Sequence, residues 1–68
     1  MGYIYIYDRE SRMPVVEVKD ESALFQIKQI TTPGAFEEEY FVIIAKEKVE
    51  KDGFLGYYPA CWQPYIKE

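Results

Sequence analysis

Histidine is absent from this chain, and cysteine occurs once, at Cys61. The first absence removes the commonest general base and the commonest imidazole metal ligand. The second excludes an internal disulfide and leaves too few soft ligands for a structural zinc site. With no imidazole to activate it, Cys61 reads as a structural thiol. Phosphate chemistry lacks its usual cradle, because Gly53-x-x-Gly56 is not followed by the Lys and Ser/Thr that meet phosphate and magnesium. The run Glu37-Glu38-Glu39 reads as solvated loop acids rather than an acid–base cluster. A catalytic constellation therefore has no evident parts. The expectation is a protein that is not an enzyme and carries no catalytic residue, metal site or cofactor.

Long hydrophobic runs are also missing. The longest, Tyr40 to Ala45, is far too short to cross a bilayer as a helix. The segment from Met1 to Tyr7 has neither the basic flank nor the continuous apolar stretch of a signal peptide. Ile6 stands where an N-myristoylation pattern wants Ser or Thr. The expected location is the cytoplasm, with the thiol reduced. Positive charge is scarce as well. Eight Lys and Arg against twelve Asp and Glu leave a net charge of −4, and the basic residues are scattered rather than gathered in a stripe. That disfavours nucleic acid as a partner.

What the chain does have is apolar and aromatic material: 49% hydrophobic residues, with seven Tyr, four Phe and one Trp among its 68. Each ring brings a large area to bury, so residues 1–68 are expected to fold as a single domain rather than remain disordered. Tyr3 to Tyr7 alternates Tyr and Ile, the period of a strand. Asp8 to Pro14 reads as a loop, and Val15 to Val18 as a second strand. Lys19 to Ser22 reads as a turn. Ala23 to Thr31 is read as a strand because it is short and flanked by turn signals, although Leu24, Ile27 and Ile30 recur at helical spacing. Thr32-Pro33-Gly34 is expected to be a loop.

Residues 37–51 carry acids first, bases last and a following Gly53, which suits a helix. Their centre, Tyr40-Phe41-Val42-Ile43-Ile44, consists of poor helix formers, and Asp52-Gly53 is a favoured hairpin turn. Strand–turn–strand, continuing through Phe54 to Tyr58, is preferred. In the tail, Pro59 and Pro64 exclude a long helix, and a single helical turn before a short terminal strand fits. Five or six short strands suggest a small, nearly closed, all-β barrel. The alternative is an α+β fold with a helix at about 37–51.

Two stretches resemble a Src-homology-3 domain. Tyr5-Ile6-Tyr7-Asp8, a polar loop with Glu10-Ser11-Arg12, and Val16-Glu17-Val18 are similar to that family's opening strand, first loop and diverging turn. Gly53-Phe54-Leu55-Gly56-Tyr57-Tyr58-Pro59-Ala60-Cys61-Trp62 is similar to its Gly-x-x-Gly-x-Ile/Phe-Pro-x-Asn-Tyr ending. Phe25 to Ile30 and Tyr40 to Lys46 would be the middle strands, joined by a long loop from Thr31 to Glu39. Departures lie at ligand-contacting positions: Tyr40-Phe41 stand where the family has paired tryptophans, and Cys61-Trp62 where it has Asn-Tyr.

The resemblance implies a five-stranded barrel that binds a partner protein or peptide segment. Tyr5, Tyr7, Tyr40, Pro59 and Trp62 would line an aromatic groove suited to a polyproline ligand, with Glu37, Glu38 and Glu39 at its rim. Trp62, between two prolines near the end of the chain, is expected to be exposed. A second expectation belongs to another class: a free-standing inhibitor or antagonist, of the sort phages and mobile elements encode, acting through a broad acidic–aromatic surface. It is motivated by a chain that begins at Met1 with no linker or second domain.

Overall fold

The computed structural model describes residues 2–31 and 34–67. Strand β1, Tyr3–Asp8, lies at the centre of an antiparallel sheet, between β2, Pro14–Val18, and β3, Tyr40–Ala45. Helix α1, Glu21–Ile30, follows β2, and a five-residue helix α2, Ala35–Glu39, runs directly into β3. Two 3₁₀ helices, Lys51–Gly53 and Ala60–Tyr65, complete the chain.

The alternation seen in Tyr3 to Tyr7 is realised as two differently covered faces. Ile4 and Ile6 pair with Val18 and Val16 on one side and with Ile44 and Val42 on the other. Opposed residues share a face, so Ile4, Ile6, Val16 and Val18 form one apolar floor. Ala23 and Ile27 of α1, Phe36 of α2 and Trp62 close over that floor to make the main core. The register slips between Ile6 and Tyr7, leaving Val15 as the extra residue of a β-bulge, itself buried. The opposite face carries Tyr3, Tyr5 and Tyr7, and the segment after β3 crosses it.

Three expectations are corrected. The fold is α+β with a three-stranded sheet among the described residues, not an all-β barrel of five strands. Glu21–Ile30 is helical, with Thr31 as its extended C-cap. Asp20 caps α1 by accepting the Ala23 N–H at 2.7 Å, Glu21 stands in its first turn, and burial at Ala23 and Ile27 has the helical i, i+4 spacing. Phe25 faces solvent. The Thr31 to Glu39 connection contains α2, although Thr32 and Pro33 of the expected loop lie outside the described residues.

The alternative of a helix at about 37–51 is not realised either. Glu37 to Glu39 end α2, and the β-branched run that follows is strand β3. Asp52-Gly53 belongs to a 3₁₀ turn rather than a hairpin, and Phe54 to Tyr58 forms no regular strand. Instead, the Leu55 and Gly56 N–H groups donate to the carbonyls of Pro14 and Val15 along the outer edge of β2. Gly56 does so at φ 81°, a left-handed conformation that a side chain would strain. The tail does form a helical turn and then a strand-like end: Ile66 bridges Val18, while Lys19 N–H donates to the Tyr65 carbonyl and Lys67 N–H to that of Glu17.

Trp62 is fully buried, not exposed. Its ring stacks on Tyr58 with centroids 6.3 Å apart, meets the edge of Tyr40 at 4.9 Å and contacts Phe36 at 6.0 Å. Its indole Nε1–H donates to Thr31 Oγ1 at 3.1 Å, and that hydroxyl donates onward to the Ile27 carbonyl at 2.7 Å. The indole is thereby satisfied at the end of α1. Trp62→Ala should cost about 3–5 kcal/mol, enough to unfold much of a domain of this size, with loss of the cooperative transition in urea. Thr31→Val removes the indole's acceptor and, with it, the hydroxyl's own bond to the Ile27 carbonyl. It should lower the urea midpoint by the equivalent of about 1–3 kcal/mol while leaving the far-ultraviolet spectrum of the folded chain unchanged.

Candidate functional site

The residues expected to share one aromatic groove fall on opposite sides of the sheet. Tyr40 and Trp62 pack on the helical side, in the core just described. Tyr5 and Tyr7 point to the other side. Tyr5 is fully buried there: Phe54 lies against its ring at 5.7 Å, and its hydroxyl accepts the Val49 N–H at 2.8 Å. Tyr7 is half-buried and stacks on Phe41 at 5.4 Å, with the Arg9 guanidinium over the Phe41 ring. Pro59 is exposed at the start of the second 3₁₀ helix.

Glu37, Glu38 and Glu39 are exposed on α2. Arg9 ties this short helix down: its Nε donates to the Glu37 carbonyl at 2.8 Å, its Nη2 to the Tyr40 carbonyl at 3.1 Å, and its backbone N–H to the Glu39 carbonyl. A guanidinium on the last carbonyls of a helix also complements the negative end of its dipole.

The tyrosine-bearing side of the sheet holds a groove of about 590 Å³ between β2 and the segment 48–56. Val15, Val49, Phe54 and Ile66 supply its apolar lining. Lys48, Lys51 and Lys67 stand at the same groove, so a chain of net charge −4 gathers three of its eight basic residues around one recess. Glu17 also lines it and pairs with Lys67 at 3.4 Å. Lys67 Nζ lies over the Tyr3 ring as well, 5.8 Å from its centroid.

The Tyr5 hydroxyl holds the groove's far wall in place through the Val49 N–H, across 44 residues of sequence. Lys48 and Lys51 are near neighbours in the sequence, within a stretch of mixed charge. Their convergence with Lys67 is not legible there, because the return of the tail along β2 brings residue 67 to them.

No protein-family model matches the chain, and no curated protein or solved structure matches it either. The geometry therefore carries the functional reading.

Two titrating groups face each other at the other end of the sheet, where Asp8 pairs with Tyr40. Hydrogen bonds from the Ser11 hydroxyl and then the Ser11 N–H hold the Asp8 carboxyl below its ordinary range. Burial first, then the negative charges of Glu39 and Asp8, push the Tyr40 phenol above 10.0. A raised phenol favours the neutral form in the folded state. That contribution is fully present below the unfolded value of about 10 and is lost as pH rises through the higher folded value. Tyr40→Phe should therefore leave neutral-pH stability nearly unchanged and reduce the loss of stability above about pH 10, measured by urea unfolding across an alkaline series.

Proposed function

We propose that the chain is a non-catalytic protein-binding module whose groove between β2 and residues 48–56 takes an extended segment of a partner, apolar at its centre and flanked by carboxylates. The single observation that supports this reading most is the concentration of Lys48, Lys51 and Lys67 around an apolar lining in a protein that is acidic elsewhere. Cations at the rim of such a recess raise the association rate of an acidic segment and select against a basic one. The apolar lining supplies the burial that charge pairs at an exposed rim do not.

This departs from the polyproline groove that the family resemblance implied. A polyproline site needs exposed, coplanar rings on one wall, and Trp62 and Tyr5 are both withdrawn into packing.

A fluorescein-labelled peptide alternating Glu with Leu and Phe serves as the probe. Its anisotropy should rise on titration with the protein, and the rise should weaken as salt is added. Substituting Lys for each Glu in the peptide should abolish the response. The double variant Lys51→Glu, Lys67→Glu should weaken binding by roughly tenfold, as expected for the loss of both rim attractions. Equal binding of the acidic and basic peptides would exclude this groove as the recognition site.

A further inference from the structure

The two edges of the sheet are treated in opposite ways. The outer edge of β2 is covered along its length by the chain itself: Leu55 and Gly56 hydrogen bond to Pro14 and Val15, and residues 65–67 bond to 17–19. The outer edge of β3 has no strand partner among the described residues. An uncovered edge presents a row of free N–H and C=O groups, and proteins normally guard such an edge with a charge, a proline or a bulge. Strand β3 reads Tyr-Phe-Val-Ile-Ile-Ala and has none of these within it.

It also exposes apolar side chains on both faces. Ile43, across from Tyr5, is 36% exposed, and Ile44, across from Ile4 on the helical face, is 60% exposed. Helix α1 leaves Ile44 open because it packs over β2 and the Ala60–Tyr65 segment rather than over β3.

Charges flank this strand at its two ends. Glu37, Glu38 and Glu39 immediately precede it; Lys46, Glu47 and Lys48 immediately follow it. We infer that β3 pairs antiparallel with β3 of a second copy of this chain, forming a continuous six-stranded sheet across a two-fold axis. Antiparallel pairing about Val42 or Ile43 lays the acidic end of one copy, carrying three negative charges, beside the lysine end of the other, carrying a net +1. It does so twice, once at each end of the joint. Parallel pairing would stack three glutamates on three glutamates, so charge selects the antiparallel arrangement. Either register places opposed side chains on the same face. The helical faces of the two copies are therefore continuous, and each Ile44 packs beside Val42 or Tyr40 of its mate.

Sedimentation velocity over a concentration series tests this on the whole chain. The expected result is a monomer–dimer equilibrium that shifts toward monomer as salt is raised. Ile44→Lys places a charge in the joint at a position that is mostly exposed in the single copy. It should give a monomer with an unchanged far-ultraviolet spectrum and urea midpoint. Lys46→Glu leaves both flanks acidic, and Glu37→Lys with Glu38→Lys leaves both flanks basic. Each should weaken self-association by about tenfold, and an equimolar mixture of the two should recover a mixed dimer.

A monomer at every concentration would overturn the inference, and so would a dimer indifferent to Ile44→Lys. Failure of the mixture to re-associate would overturn the antiparallel charge pairing. Binding of the acidic groove peptide by a chain that stays monomeric would assign the recognition surface to the groove alone. These variants leave Lys51 and Lys67 untouched, so groove binding and self-association fail separately.

Discussion

The burial of Trp62 is the constraint on which the rest of the structure depends. One indole, fully withdrawn from water, is enclosed by residues from four separate segments: Thr31 at the end of α1, Phe36 in α2, Tyr40 at the start of β3, and Tyr58 before the last helical turn. A 68-residue chain has little interior to spare. Placing its largest side chain at the point where α1, α2 and the tail converge gives each of those short elements a partner it could not find locally. Helix α2, at five residues, has no independent stability. It persists because Phe36 is buried against Trp62 and because Arg9 holds its last carbonyls.

That packing has a consequence for the sheet. Once Trp62 is seated, the chain beyond Ala60–Tyr65 must leave along β2, and residues 65–67 close that edge. The same return carries Lys67 across to Glu17 and beside Lys48 and Lys51, which creates the cationic groove on the tyrosine side. With α1 and the tail both committed to the β2 side, no strand among the described residues covers the outer edge of β3. The groove and the bare edge are thus two results of one packing decision, and they lie on different parts of the same small domain.

Much of the strand content was legible from local pattern. Tyr3 to Tyr7 alternates in a way only a strand satisfies, and Val15 to Val18 and Tyr40 to Ala45 are runs whose β-branched and aromatic residues resist helix. The error at Ala23 to Thr31 came from weighing the segment's shortness and its flanking turn signals above capping: Asp20 followed by Glu21, with Ala23 and Ile27 one turn apart, was the stronger signal. The error at Trp62 was of another kind. Flanking prolines made the segment look peripheral, yet prolines also stiffen a short turn that can point one ring inward. The predicted groove failed with it. Tyr5 and Tyr7 point away from Tyr40 because Tyr40 pairs with Asp8, and successive residues of a strand face opposite sides of the sheet.

By itself the sequence determined the three strands of the sheet, the terminal helical turn and the acidic balance, because each depends on residue type and on neighbours a few positions away. Only the tertiary structure decided which rings are core, which lysines meet and which sheet edge stays open. Those outcomes depend on contacts between segments tens of residues apart: Thr31 with Trp62, Tyr5 with Val49, Glu17 with Lys67. Local pattern carries no term for such contacts, since the free energy that selects them is the burial of one shared interior.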